Sequence, residues 1–132
     1  MLDRITLDGV GPEGQRLWQT LSAPDKALET PSALRTAVRD HRKRIHDTPG
    51  AEAFVNLALV DRLSEACERL LSRIDDSTPE DTRRAIQAAV LYYIIDDDEA
   101  SDCWSVNGLE DDRLVMNAVL AALNLETVPQ SA

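Results

Sequence analysis

A chain of 132 residues can close one hydrophobic core and is short for two domains. Its net charge of −10 argues against binding to nucleic-acid phosphates or to anionic membranes, because both require a basic surface. No apolar run reaches the ~20 residues of a membrane span, and the first residues lack the apolar stretch of a signal peptide. We therefore expect a single cytoplasmic domain, residues 1–132, with no membrane span.

Helical periodicity predicts an all-α fold of four main helices plus a short N-terminal helix. Residues 1–11 hold two glycines and little pattern, which indicates a flexible or draped N-terminal arm. Pro12 suits the first position of the short helix, in which Trp18 is expected to anchor the core. Thr30 and Pro31 provide a cap and a first residue for the second helix.

The second helix carries the one basic cluster of the sequence on the side opposite its apolar stripe. Three interpretations of this cluster remain open: a solvated helix face, docking against the protein's own acidic loop, or contact with nucleic acid. The cluster consists of Arg35, Arg39, Arg42, Lys43 and Arg44.

Three further helices are predicted to form the core. A long helix with a broad apolar stripe runs from about residue 51 to 74, and a second one, expected to be central, runs from 79 to 95. The last helix covers about 110–124. Residues 126–132 lack a helical pattern and are expected to form a frayed tail.

The connection between the last two helices is the most unusual stretch of the chain. Residues 96–112 contain eight acidic residues and no basic one. Carboxylates crowded at a helix C-terminus are unfavourable, because the helix dipole there prefers cations and like charges repel. The repulsion within such a cluster of carboxylates is usually offset by a bound cation, by arginines or by full solvation.

Carboxylate oxygens suit hard divalent ions, so Ca²⁺ or Mg²⁺ is the cofactor that this stretch could hold. The spacing does not match an EF-hand, and the absence of His and Cys in a ligand pattern argues against zinc. The competing interpretation is structural, with carboxylates paired to Arg83, Arg84 or Arg113. The predicted metal ligands, two from each end of the loop, are Asp98, Asp102, Asp111 and Asp112.

Catalysis is not favoured by any motif. The sequence lacks a nucleophile elbow, a phosphate-binding loop, a dinucleotide fingerprint and an HExxH pair, and its serines in the loop have no histidine nearby. Two carboxylates could act as an acid–base pair, but the sequence gives no sign of the pocket they would need. We expect a protein that is not an enzyme, and no catalytic residue is assigned.

Six positions in and beside this stretch stand in register with the signature of a known family. They are Tyr92, Asp98, Asp102, Gly108, Asp111 and Asp112. Residues 85–123 are similar to the YkvA-like domain, a small bacterial helical family of unassigned function, and read as a divergent member in which Asp96, Ser101 and Ser105 replace three signature prolines. The resemblance implies a helix–loop–helix fold for this half of the chain and no established activity.

The sequence thus predicts a non-enzymatic interaction or regulatory module whose acidic loop meets a protein with a basic surface. Charge complementarity of this kind speeds and selects encounters. The alternatives are a divalent-cation site, structural or hydrolytic, in the same loop, and an acidic inhibitor or immunity-type protein. The residues expected to face the partner are Asp96, Asp97, Glu99, Trp104 and Glu110.

Overall fold

The computed structural model describes residues 5–53, 56–95 and 108–129. Within these ranges the chain is all-α and has no β-strand, which confirms the predicted fold class, with one short leading helix and four longer ones. The helices are α1 (Pro12–Leu21), α2 (Pro31–Asp47), α3 (Leu57–Leu71), α4 (Glu80–Ile95) and α5 (Gly108–Ala122).

Helix α4 lies at the centre of the fold, as its sequence predicts. It contacts each of the other four helices. A helix that is apolar around most of its circumference can bury its side chains only when neighbouring helices pack on every side. The buried apolar and aromatic residues in its middle and last turns are Ala85, Ile86, Ala88, Ala89, Val90, Tyr92 and Tyr93.

Helix α3 is shorter than the predicted helix over 51–74. Ala51–Ala53 forms a separate 3₁₀ turn, and α3 begins only at Leu57. The Asn56 side chain accepts a hydrogen bond from the Leu59 N–H at 3.1 Å, which caps the helix. The correction follows from this cap, because an N-cap residue has extended backbone and cannot continue a helix from the preceding residues.

The N-terminal arm is draped over the core in its described part. Leu7 and Val10 are buried, and Trp18 of α1 is buried in the same core, as predicted. The Gln15 side chain donates hydrogen bonds to the carbonyl of Leu7 at 2.9 Å and to that of Val10 at 3.3 Å. Helix α1 therefore holds the chain that precedes it.

The loop between α1 and α2 is held by two buried polar side chains of α4. Arg84 donates to the carbonyl of Ala23 at 3.0 Å. Gln87 is 1% exposed, donates to the carbonyl of Ala27 at 2.8 Å and accepts from the Glu29 N–H at 2.7 Å. These side chains give backbone groups of the irregular loop partners where it packs on the central helix.

The prediction of a frayed tail from residue 126 is wrong for residues 126–129. Val128 is 3% exposed and belongs to the core, and the Asn117 side chain pairs with its backbone. Helical periodicity does not detect such a segment, because side chains of another helix, rather than its own pattern, satisfy its backbone. Residues 130–132 lie outside the described part.

Candidate functional site

The structure describes only the second end of the acidic segment. Helix α4 ends at Ile95 and α5 begins at Gly108. Of the residues predicted to bind metal or partner, Glu110, Asp111 and Asp112 are described, on the first turns of α5. Those outside the described ranges are Asp96, Asp97, Asp98, Glu99, Asp102 and Trp104.

Glu110 forms an ion pair within its own helix. The Arg113 Nε donates to Glu110 Oε2 at 3.1 Å, and a terminal nitrogen of Arg113 bonds the other carboxylate oxygen. The hydrogen bond from Arg113 lowers the pKa of Glu110, although partial burial opposes it. Since this two-point geometry is specific to a guanidinium and a carboxylate, Arg113 is one of the arginines that the structural interpretation required.

This pair predicts a pH-dependent effect of Glu110→Gln. Because the pKa is lowered in the folded state, the pair stabilises the protein above the unfolded pKa and loses that contribution as pH falls through the folded value. The free energy of unfolding should drop by at most about 1 kcal/mol at pH 7, since the pair is partly exposed.

The measurement is urea unfolding of both proteins at pH 7 and near pH 3, where the difference should close. Exposed Glu52 provides a control, because Glu52→Gln should leave the free energy of unfolding nearly unchanged at both pH values. A Glu110→Gln deficit that stays constant across the range would contradict the assignment.

Asp111 and Asp112 are placed differently, although they are adjacent. Asp112 is 1% exposed, whereas Asp111 is partly exposed. Consecutive residues of a helix point about 100° apart, so one carboxylate can enter the core while the next stays near the surface. Asp112 is therefore a core residue, and only Asp111 of the two is accessible from outside.

Buried polar side chains from four helices lie close together in the interior, and Asp112 is near enough for its charge to raise the pKa of the Tyr93 hydroxyl, which burial raises first. The hydroxyl of Tyr93 donates to the Val60 carbonyl at 3.1 Å and lies 3.0 Å from the Ser64 hydroxyl. The ring of fully buried His41 meets the Tyr93 ring edge-on, with centroids 4.7 Å apart. The cluster thus draws on α2, α3, α4 and α5. His41, Ser64 and Tyr93 fall on the apolar stripes of their helices, so periodicity does not single them out and their polar character is the one available signal. Asp112 was predicted as a metal ligand and not as part of a core cluster.

A buried thiol, that of Cys67, lies near Asp112. Burial raises the pKa of the Cys67 thiol, and the charge of nearby Asp112 raises it further. Burial likewise raises the pKa of the Tyr93 hydroxyl. A nucleophilic thiol requires a lowered pKa and access to solvent, and Cys67 has neither. The hydrogen bonds of Tyr93 and Ser64 instead fix how α3 and α4 pack.

The basic face of α2 pairs with acidic residues of α3. Arg35 Nε lies 3.2 Å from a carboxylate oxygen of Glu68, and Arg42 Nε lies 2.8 Å from one of Asp61. His46 Nε2 is 2.7 Å from the same Asp61 oxygen. The hydrogen bonds from Arg42 and His46 lower the pKa of Asp61 against the effect of its partial burial. Much of the positive charge on this helix is therefore neutralised across the α2–α3 contact.

Comparison with known proteins gives no relative on which to base an assignment. No family model, no curated protein and no solved structure matches the chain. Among the described residues no three His, Cys, Asp or Glu side chains are grouped as a metal site would require. No described helix is both long and apolar enough to cross a membrane. The class of protein that the fold defines is a small helical domain with an acidic segment joining two core helices.

Proposed function

We propose that this protein is a non-enzymatic interaction or regulatory module, and that its acidic segment, residues 96–112, binds a protein partner with a basic surface. The supporting observation is the distribution of charge. Eight of the 24 acidic residues and none of the 14 basic residues lie in this segment. The other 115 residues hold 16 acidic and 14 basic side chains, so they are nearly neutral.

Ion pairs among the described residues strengthen the charge difference between the acidic segment and the rest of the chain. Arginines of α2 are engaged by Asp61 and Glu68, which leaves less positive charge to offset the segment from that face. A surface with one dominant sign of charge steers a complementary partner into contact and raises the rate of association. The contributions expected from Glu110 and Asp112 are reduced, because Arg113 holds the carboxylate of Glu110 and Asp112 is buried.

The test compares two triple variants with the same change in charge. Asp96→Asn, Asp97→Asn and Glu99→Gln neutralise the segment. Three exposed acids elsewhere supply the matched control, Asp25→Asn, Asp40→Asn and Glu52→Gln. In affinity capture from the native host, quantified by mass spectrometry, the control should retain the wild-type partners and the segment variant should lose those with basic surfaces.

Increasing salt should weaken the same contacts, since exposed charges are screened over about 8–10 Å at physiological ionic strength. Identical partner profiles for the two triple variants would refute the proposal. Thermal unfolding of the same proteins distinguishes the alternative of a divalent-cation site. If the segment binds such an ion, millimolar Ca²⁺ or Mg²⁺ should raise the melting temperature of wild type. That increase should vanish in Asp98→Asn.

A further inference from the structure

The C-terminal segment, residues 125–129, lies against α5 and α3 and has no secondary structure of its own. Helix α5 ends in a turn in which Asn124 has a φ of 59° and the Leu125 N–H donates to the Leu120 carbonyl at 2.8 Å. This left-handed C-cap redirects the chain, because a residue with positive φ cannot continue the helix.

Side chains of the helices then bind the main chain of this segment. The Asn117 amide donates to the Val128 carbonyl at 2.9 Å, and its oxygen accepts from the Val128 N–H at 2.7 Å. Arg113 donates to the same carbonyl at 3.3 Å, and Arg69 of α3 donates to the Glu126 carbonyl at 3.2 Å. An amide that takes both the donor and the acceptor of one residue recognises extended backbone, whatever the side chain.

One side chain of the segment provides the apolar anchor. Val128 is 3% exposed and packs in the core, while neighbouring Thr127 is exposed. Extended peptides bind proteins by this combination of main-chain hydrogen bonds with a pocket for an individual side chain. The C-terminal segment leaves empty space between itself and α3. A cavity of about 360 Å³ remains between residues 126–129 and Arg62, Glu65 and Arg69 of α3.

We propose that α3 and α5 form a peptide-binding groove, and that residues 125–129 occupy it as an intramolecular ligand. The partner is an extended protein segment with a small branched aliphatic side chain in the position of Val128. The room beside Val128 allows such a segment to carry longer polar side chains next to its anchor. This inference is independent of the acidic segment and of the function proposed for it.

The test uses the full chain and a fluorescent peptide with the sequence of residues 124–130. In wild type the tethered segment competes at high effective concentration, so the added peptide should bind weakly. Val128→Ser in the chain weakens the intramolecular ligand and should tighten binding of the unchanged peptide about tenfold or more. Thr127→Ser, at an exposed position of the same segment, should match wild type.

Adding Asn117→Ala to the Val128→Ser chain should reverse the gain, because the groove then lacks its main-chain partner. Equal peptide affinity in wild type and Val128→Ser, or no loss on adding Asn117→Ala, would overturn the proposal. A measurement on wild type covers the case in which Val128→Ser does not fold. The Val128 amide should exchange with deuterium at least tenfold faster than that of buried Leu63 on α3, because the segment can leave α3 and α5 without unfolding the core. Exchange of the Val128 amide only through global unfolding would also refute the proposal.

Discussion

Replacing Gln87 with leucine should lower the free energy of unfolding by about 2–4 kcal/mol, because two backbone groups lose their partner at once. Leucine fills a similar volume but can neither donate to the Ala27 carbonyl nor accept from the Glu29 N–H. Urea unfolding followed by circular dichroism measures the change. Gln19→Leu, at an exposed position of α1, serves as the control and should change stability by less than about 0.5 kcal/mol.

Gln87→Glu provides a sharper version of the same experiment. The carboxylate can still accept from Glu29 but faces the Ala27 carbonyl without a proton to donate. Burial raises the pKa of a carboxyl in such a position, so a proton should be taken up in the folded state as pH falls. The stability deficit relative to wild type should therefore shrink between pH 7 and pH 5, and a constant deficit would contradict the described contacts.

Gly14→Val should destabilise the protein by about 2–3 kcal/mol through overpacking, an effect that helix propensity does not predict. Any Cβ at Gly14 would lie less than 3.0 Å from both Tyr92 Oη and Val10 Cγ1. At an ordinary helical position, glycine to alanine gains up to about 1 kcal/mol. Here even Gly14→Ala should lose stability, because α1 and α4 are close enough to exclude a methyl group.

Thermal unfolding of Gly14→Ala beside Gly11→Ala tests this sign. A Cβ at Gly11 meets nothing within 4 Å, so its substitution should cost only the small N-cap preference of glycine over alanine. Tyr92→Phe in the Gly14→Ala background should recover part of the loss, as expected for two groups in direct contact. Gly14→Ala more stable than wild type would show that α1 does not pack at this distance.

The start of α3 and the C-terminal tail show that periodicity describes this fold only in part. The predicted α3 began too early because alanines at 51 and 53 extend an apolar pattern that the Asn56 cap interrupts. The tail was predicted to fray because no helical or strand pattern continues beyond Asn124. Its backbone partners are side chains of α5 and α3, chiefly Asn117, which pairs with both backbone groups of Val128.

The candidate site divides in the same way. The concentration of acidic residues at 96–112 follows from sequence alone, but the placement of individual carboxylates does not. Glu110, Asp111 and Asp112 are consecutive and chemically alike, yet one is paired with Arg113, one is partly exposed and one is buried. These differences arise from the rotation of about 100° per helical residue relative to a core that the sequence does not display.

By itself the sequence determined that this chain is all-α, that α4 is its central helix and that its negative charge collects between α4 and α5. Those properties depend on local periodicity and composition, which each segment carries independently of the others. The tertiary structure decided which polar groups are buried, which acidic residues of α3 pair with the basic residues of α2, and that residues 125–129 pack against α3 and α5. Each of these requires two segments distant in sequence to meet, and the pattern of either one alone does not specify the other.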